Sequence, residues 1–402
     1  MAAQSNPPTF PHRLLNSSKE ERLTYFKALT IKHPLLSSAY EELRCAVRDA
    51  NPGSIIFVLG PTGVGKTTLL DRLEKYFTEI LLSELKRDAE RLAITKVQLV
   101  TPTSGNFDWK DYFKDLLLAM EEPLVDHKED VELLHEIRLP RHEQSKINIA
   151  LLHSDRTGVR PVRFASIQTL KHRRPMAVLI DDAQCFGCIS SGRKLLDQLN
   201  IVKSQADKSK VTHVLCGTYE LNPLRNLNGQ LSRRSIDIHF GRYHAENEAH
   251  RQEFINVLHT FQQHIPLSQT PDLVSRWDYF YERSIGCVGV LKDWLTRSLA
   301  LAIEDNSSAL SLKYIEHRAL SVIQCATMLR EAMAGEKEFE ESEEARLLLR
   351  QKLGLQPEGL NEKSYKSSAD ELKQGLTSNR RRRRRRPGTR NPVRDKIGVK
   401  VA

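Results

Sequence analysis

Eight residues, Gly60-Pro61-Thr62-Gly63-Val64-Gly65-Lys66-Thr67, match the spacing G-x-x-x-x-G-K-[ST] without a departure. That spacing suits a β-phosphate, because glycines permit the unusual torsions and close approach by which successive backbone N–H groups wrap an anion. Lys66 is placed to reach the β- and γ-phosphates and the Thr67 hydroxyl to coordinate magnesium, with Thr68 beside it in the first turn of a helix whose dipole faces the same charge. Magnesium needs a further carboxylate, and the apolar run Ala177-Val178-Leu179-Ile180 ends in Asp181-Asp182. Asp181 reads as the magnesium carboxylate, directly or through water, and Asp182 as the group that polarises the attacking water. In isolation such a pair is also an ordinary solvated turn. Thr218, which closes the run Val211-Thr212-His213-Val214-Leu215-Cys216-Gly217, reads either as a polar sensor of the γ-phosphate or as a helix cap. Arg233 and Arg234 precede the last apolar run, where one arginine can reach the nucleotide of a neighbouring copy while the other is solvated.

These groups must be held by buried strands. Five short apolar, largely β-branched segments satisfy that need: Ile55 to Leu59, Val97 to Val100, Ala177 to Ile180, Val211 to Leu215 and Ile236 to Phe240. Helical patterns separate most of them, and the alternation predicts a parallel sheet covered on both faces. Asn51-Pro52-Gly53 is the turn that introduces the first strand, and helices are expected before it, at Lys19 to Ala28 and Leu36 to Asp49. Residues 121–163 carry charge, His and Pro without apolar register and read as an insertion or irregular connection. From Ala245 strand signals stop. Leu291, Trp294, Leu295, Leu299 and Ala302 recur at helical spacing, as do Ile315, Ala319, Val322, Ile323 and Ala326. The expected organisation is an N-terminal helical segment (1–50), an α/β core (51–244), a helical lid (245–335), an acidic helix and linker (336–371) and a basic tail (372–402).

The chain has 402 residues and a formal charge of +10, but the basicity is local. Twelve Lys and Arg against Asp395 give residues 372–402 a charge of +11, leaving −1 for the rest. Nucleic-acid binding by the folded body would therefore need local patches. No apolar run approaches membrane-spanning length and the first residues lack a signal-peptide pattern, so a cytoplasmic protein is expected. Six cysteines in so long a chain suit a reducing interior, and Cys185 and Cys188 read as buried structural thiols rather than half of a zinc site.

In this order the elements resemble the AAA+ ATPases, and within them the TnsC/TniB family of transposition regulators. The resemblance rests on Gly60 to Thr68, Ile180-Asp181-Asp182-Ala183-Gln184, Leu215-Cys216-Gly217-Thr218, the stretch Gly286-Cys287-Val288-Gly289-Val290-Leu291-Lys292-Asp293-Trp294-Leu295, and His33-Pro34 ahead of the core. It covers about Thr30 to Glu331. It implies an AAA+ P-loop core with a five-stranded parallel sheet flanked by helices, a C-terminal helical lid, ATP and Mg as ligands, and Lys292 as a second sensor of the γ-phosphate. It further implies copies stacking as a ring or helical filament around double-stranded DNA, with a transposase and a target-selection protein of the TniQ type as partners. Thr103 and Lys110, after the second strand, become candidate DNA contacts. One departure stands out: Asp182 occupies a position where most of that family has Glu, which bears on the hydrolysis rate.

The seven arginines Arg380, Arg381, Arg382, Arg383, Arg384, Arg385 and Arg386 repel one another and predict a disordered tail that binds phosphates without sequence preference. A docking peptide for an acidic partner and a nuclear address are the other readings of this run. Two rival functions remain open on the sequence: a clamp-loader or replication-initiator-like ATPase, and a nucleotide-gated scaffold with negligible hydrolysis.

Overall fold

The computed structural model describes residues 9–102, 105–121, 158–188, 195–225, 235–339 and 342–355. By contact the chain divides into two compact units, 1–340 and 341–402.

In the first unit α1 (Lys19–Ala28) and α2 (Pro34–Arg48) precede β1 (Ile55–Leu59), which feeds α3 (Lys66–Leu85). β2 (Thr95–Gln98), α4 (Trp109–Ala119), α5 (Val159–Arg173) and β3 (Ala177–Asp181) follow. Then come α6 (Leu195–Ser209), β4 (Thr212–Gly217), the short α7 (Asn222–Arg225) and β5 (Ser235–His239). Helices alone continue: α8 (Glu248–His264), α9 (Trp277–Ser284), α10 (Val288–Glu304), α11 (Leu312–Arg318) and α12 (Val322–Glu336). In the second unit α13 (Glu343–Lys352) has no buried residue.

All strand pairings are parallel and the order is β2-β3-β4-β1-β5. This is the AAA+ P-loop NTPase fold expected from the sequence. Every residue of β1, β3 and β4 is buried, as a sheet covered on both faces requires. Alternate residues face opposite ways, so Phe57, Val178 and Leu215 join Phe113, Leu116 and Leu170 on one side, while Ile56, Leu179 and Val214 meet Leu43, Leu69 and Leu73 on the other. Each such side chain taken out of water contributes roughly 1.5–3 kcal/mol. A third core, around Phe26, Phe261, Phe280 and Trp294, joins α1 to α8, α9 and α10. β5 departs from the buried pattern: as an edge strand it leaves Ile236 41% exposed.

Three local expectations need correction. Arg163 lies inside α5, which starts at Val159 within the stretch read as irregular and buries Val162. The periodic run Ile315 to Ala326 is two helices, because Ser321 caps a new one: its hydroxyl accepts from Gln324 N while the Gln324 side chain accepts from Ser321 N. Val322 and Ile323, which share that helical spacing, open the new helix and are 61% and 79% exposed. Glu336, read as the start of the acidic helix and linker, instead ends α12, buried against Arg242. All six cysteines are free thiols, and Cys185 is buried whereas Cys188 is only partly so.

Candidate active site

β1 delivers the glycine loop at its carboxyl end, the usual ligand-binding edge of a parallel sheet. Gly63 and Gly65 take φ of +79° and +107°, values that exclude most side chains. Gly60 is required for a different reason, since a Cβ there would stand 2.1 Å from the Phe240 carbonyl oxygen. The loop is also held from the far side of the chain. Val290 N donates to Gly63 O at 3.2 Å, and a Cβ on Gly289 would come within 2.4 Å of that oxygen. Gly286, at φ +77°, packs on the Tyr243 carbonyl. The glycines of Gly286-Cys287-Val288-Gly289 thus seat the start of α10 against the phosphate loop, which gives that stretch a steric reason.

Lys66 Nζ donates to Gly60 O at 3.0 Å and to Pro61 O at 2.9 Å, folding its amine back into the loop. Burial lowers its pKa, opposed by the nearby Cys216 thiol and the Asp181 carboxylate. Thr67 Oγ1 donates to Asp181 Oδ2 at 2.7 Å across 114 positions of sequence, and Asp181 is 2% exposed. Asp182 adopts φ +53°, a left-handed conformation that Asp tolerates better than most residues, and its N–H donates to Asp181 Oδ1.

Two glutamines complete this cluster. Gln98 Nε2 donates to Asp182 Oδ2 at 3.0 Å, and Gln184 Nε2 donates to Asp182 Oδ1 at 3.2 Å. The Gln184 Oε1 accepts from Thr218 N at 3.2 Å, tying the ends of β3 and β4 together. Gln98 carried no readable signal; Gln184 stood in the run that carried the family resemblance, but its bridging position depends on β4 lying beside β3. Because β4 lies between β1 and β3, Thr218 follows the strand that separates the one ending in the phosphate loop from the one ending in Asp181. It also lines a cavity of about 320 Å³ with Pro61, Thr62, Tyr219, Glu220, Asn222 and residues of α12.

The other predicted residues are placed differently. Lys292 Nζ donates to Lys27 O at 2.7 Å, beside Asp293 and Arg297, so the structure does not bring it to the glycine loop. Lys110 lies in the first turn of α4, where its N–H donates to Asp108 Oδ1, and Asp111 and Asp115 share that helix. Thr103, Arg233, Arg234 and Arg380 to Arg386 lie outside the described residues.

Over this same region the family model of the AAA domain matches residues 49–224, which contain the glycine loop, both aspartates and Thr218. The chain carries an AAA domain. Solved structures similar to it include the ORC2 protein of Aeropyrum pernix in ADPNP–ADP complexes, at TM-score 0.46 and 14% identity over 71% of this chain and 67% of that one. A Walker-type ATPase of Pyrococcus abyssi gives TM-score 0.42 and 14% identity over 84% and 88%. The ORC1 protein of Aeropyrum pernix in complex with DNA gives 0.44 and 11% over 78% and 70%. No curated protein sequence matches the chain. What the AAA domain does here therefore rests on the chemistry of its own residues.

The site fits a nucleotide with magnesium. The Thr67 hydroxyl and Asp181 carboxylate are hard oxygen donors within hydrogen-bond reach at the start of α3. Among the described residues no group of three or more His, Cys, Asp or Glu could cage a metal by itself. Magnesium suits such a sparse set, because it retains waters and takes phosphate oxygens as its remaining ligands.

Proposed function

We propose that this chain binds ATP with magnesium at Gly60 to Thr68 and hydrolyses it. The observation that carries this reading is the Thr67–Asp181 hydrogen bond, which joins the phosphate loop to the acidic tip of β3. On nucleotide entry the Lys66 amine exchanges two loop carbonyls for phosphate oxygens, a gain because the new acceptors are anionic. Thr67 and Asp181 would hold the magnesium, which would supply neutralisation of the phosphate charge. Asp182, held by Gln98 and Gln184, orients the water. The water oxygen bonds to the γ-phosphorus, the bond from that phosphorus to the β–γ bridging oxygen breaks, and ADP leaves with the electron pair as the water loses its proton to Asp182.

The output of this cycle is an assembly state. ATP-bound copies oligomerise on target duplex DNA, with an arginine of the Arg233–Arg234 pair from a neighbouring copy completing each site. The assembly links a TniQ-type target-selection protein to a transposase and comes apart on hydrolysis. This part of the reading rests on the resemblance of Gly286 to Leu295 and Ile180 to Gln184. Thr103, Lys110 and the arginines Arg380 to Arg386 serve as phosphate contacts to DNA. The second-sensor role for Lys292 requires its amine to leave Lys27 O.

The test is phosphate release with and without duplex DNA, alongside electron microscopy with a non-hydrolysable ATP analogue. DNA-stimulated release lost in Lys66→Ala, and DNA-encircling oligomers, are expected. No release in either condition rejects hydrolysis; release without a DNA-bound oligomer rejects the transposition reading alone.

A further inference from the structure

Two of the free thiols lie in one turn directly after the acidic tip of β3. Cys185 N donates to Asp182 O and Cys188 N donates to Cys185 O, each at 3.0 Å, so the 3₁₀ turn Ala183–Gly187 starts from the aspartate and closes on the second cysteine. A turn closed by a hydrogen bond between its first and fourth residues brings their Cα atoms within about 7 Å, and a disulfide spans roughly 4.4–6.8 Å. The two sulfurs differ in access. Cys185 is 5% exposed, with Sγ 3.9 Å from Thr101 Oγ1, whereas Cys188 is partly exposed. Between them Gly187 is exposed, and a Cβ there would meet nothing within 4 Å, so a small molecule can approach and the turn has room to adjust.

The same turn carries Gln184, which joins two strand tips: its Nε2 donates to Asp182 Oδ1 and its Oε1 accepts from Thr218 N. Gln184 is tightly seated. A Cβ on Gly217 would stand 2.4 Å from Gln184 Oε1 and 3.2 Å from Gln184 N, so the tip of β4 presses on this residue's side chain and backbone together. Moving the adjacent Cys185 sulfur from Thr101 toward Cys188 turns the segment that β4 holds, and the strain falls on the two bonds of Gln184. A zinc reading of the pair fails, since among the described residues no group of three or more His, Cys, Asp or Glu could hold a metal.

We infer that Cys185 and Cys188 form a redox switch on the candidate ATPase site, closing to a disulfide that slows hydrolysis by unseating Gln184 from Asp182 and Thr218. The accessible Cys188 thiolate attacks one sulfur of a small-molecule disulfide, of the oxidised-glutathione class, and expels the other half as a thiolate. Cys185 then attacks Cys188 Sγ in the mixed disulfide and expels the second half. The cysteine pair gives up two electrons and two protons, and the small disulfide takes them up as two thiols. Formation of the bond stands apart from the proposed function; its effect on turnover rests on the ATPase reading.

The full chain tests it, equilibrated with glutathione at graded ratios of oxidised to reduced form. Mass analysis after alkylation and proteolysis reads the Cys185–Cys188 bond, while phosphate release at saturating ATP and magnesium and affinity for a fluorescent ATP analogue read its effect. The bond is expected to form, with turnover about tenfold lower, the effect of one lost hydrogen bond to a charged group, affinity unchanged and full recovery in dithiothreitol. Cys188→Ser is expected to keep the reduced chain's turnover and lose the response, whereas Cys45→Ser, which removes the other partly exposed thiol, keeps both. Should Cys188→Ser fail to fold, Cys185→Ala carries the same comparison. No bond between these cysteines at any ratio overturns the inference, as does a response that survives Cys188→Ser. No release from the reduced chain sinks the ATPase reading and the regulatory step with it; a bond that leaves release unchanged sinks the inference alone.

Discussion

Two polar clusters share the carboxyl edge of the sheet, and they are satisfied in opposite ways. At the tips of β1 and β3 each key group is bonded to another: Lys66 to its own loop, Thr67 to Asp181, Asp182 to Gln98 and Gln184. At the tip of β4, under α12, Thr218 Oγ1 and the Asn222 carboxamide have no hydrogen-bond partner among the described residues. The first cluster must exchange bonds when a ligand arrives, so it is stable alone and adds affinity through the stronger, charged partners it gains. The second is buried without such bonds, a cost that the packing around it must offset.

The roof over the unpaired cluster gives the largest expected effect. Arg242 Nη2 donates to Glu336 Oε2 at 3.2 Å with Nε 3.0 Å from Oε1, and Nη1 reaches Ile285 O, pinning the end of α12 to the segment after β5. Glu336→Ala leaves this buried guanidinium without its charge partner and is expected to cost about 3–5 kcal/mol in urea denaturation. An Arg242→Met, Glu336→Met double variant should recover much of it; equal loss in both would mean the pair is not what holds the roof.

The self-paired cluster is broken at Lys66. Lys66→Ala is expected to reduce phosphate release by about a hundredfold or more while barely moving the melting temperature without nucleotide, since the amine bonds only its own loop. A large destabilisation would show that the self-pairing matters to the fold.

Between the clusters lies the seat of α10 on the loop. A methyl at Gly289 meets the Gly63 carbonyl at 2.4 Å, so Gly289→Ala is expected to destabilise by about 1–3 kcal/mol and to weaken nucleotide binding. Unchanged affinity would mean the loop is shaped without α10.

The smallest effect concerns pH. Burial pushes His213 in β4 down to about 4, and His33, buried near Arg72, is likewise pushed down to about 4. The unfolded chain then takes up protons, from about pH 6.5 downward, that the folded chain does not. Stability from these neutral histidines is whole above that pH and falls as pH drops toward 4. His213→Leu should flatten part of that decline in denaturation series at pH 7 and 4.5, leaving the share due to His33. An unaltered slope would remove His213 from the account.

The glycine loop and the Asp181-Asp182 pair were legible because their chemistry depends on local spacing beside apolar strands. Their partners were not: Gln98 and Gln184 are ordinary polar residues until β2 and β4 flank β3. The same holds for Arg242 with Glu336, which composition placed at the start of the acidic helix and linker. Lys292 shows the converse, since motif position suggested a phosphate contact while its amine bonds Lys27 O. The break at Ala319 to Ser321 was missed because apolar spacing continued across it, although Ser321 and Gln324 spelled a capping box.

What the sequence determined by itself was the sheet, its β1 and β3 tips and the torsions of the loop, all consequences of short-range pattern and of residues without side chains. What only the tertiary structure decided was which polar atoms end up paired. Hydrogen-bond satisfaction depends on residues a hundred or more positions apart meeting within a few ångströms, as Thr67 and Asp181 do at 2.7 Å across 114 positions.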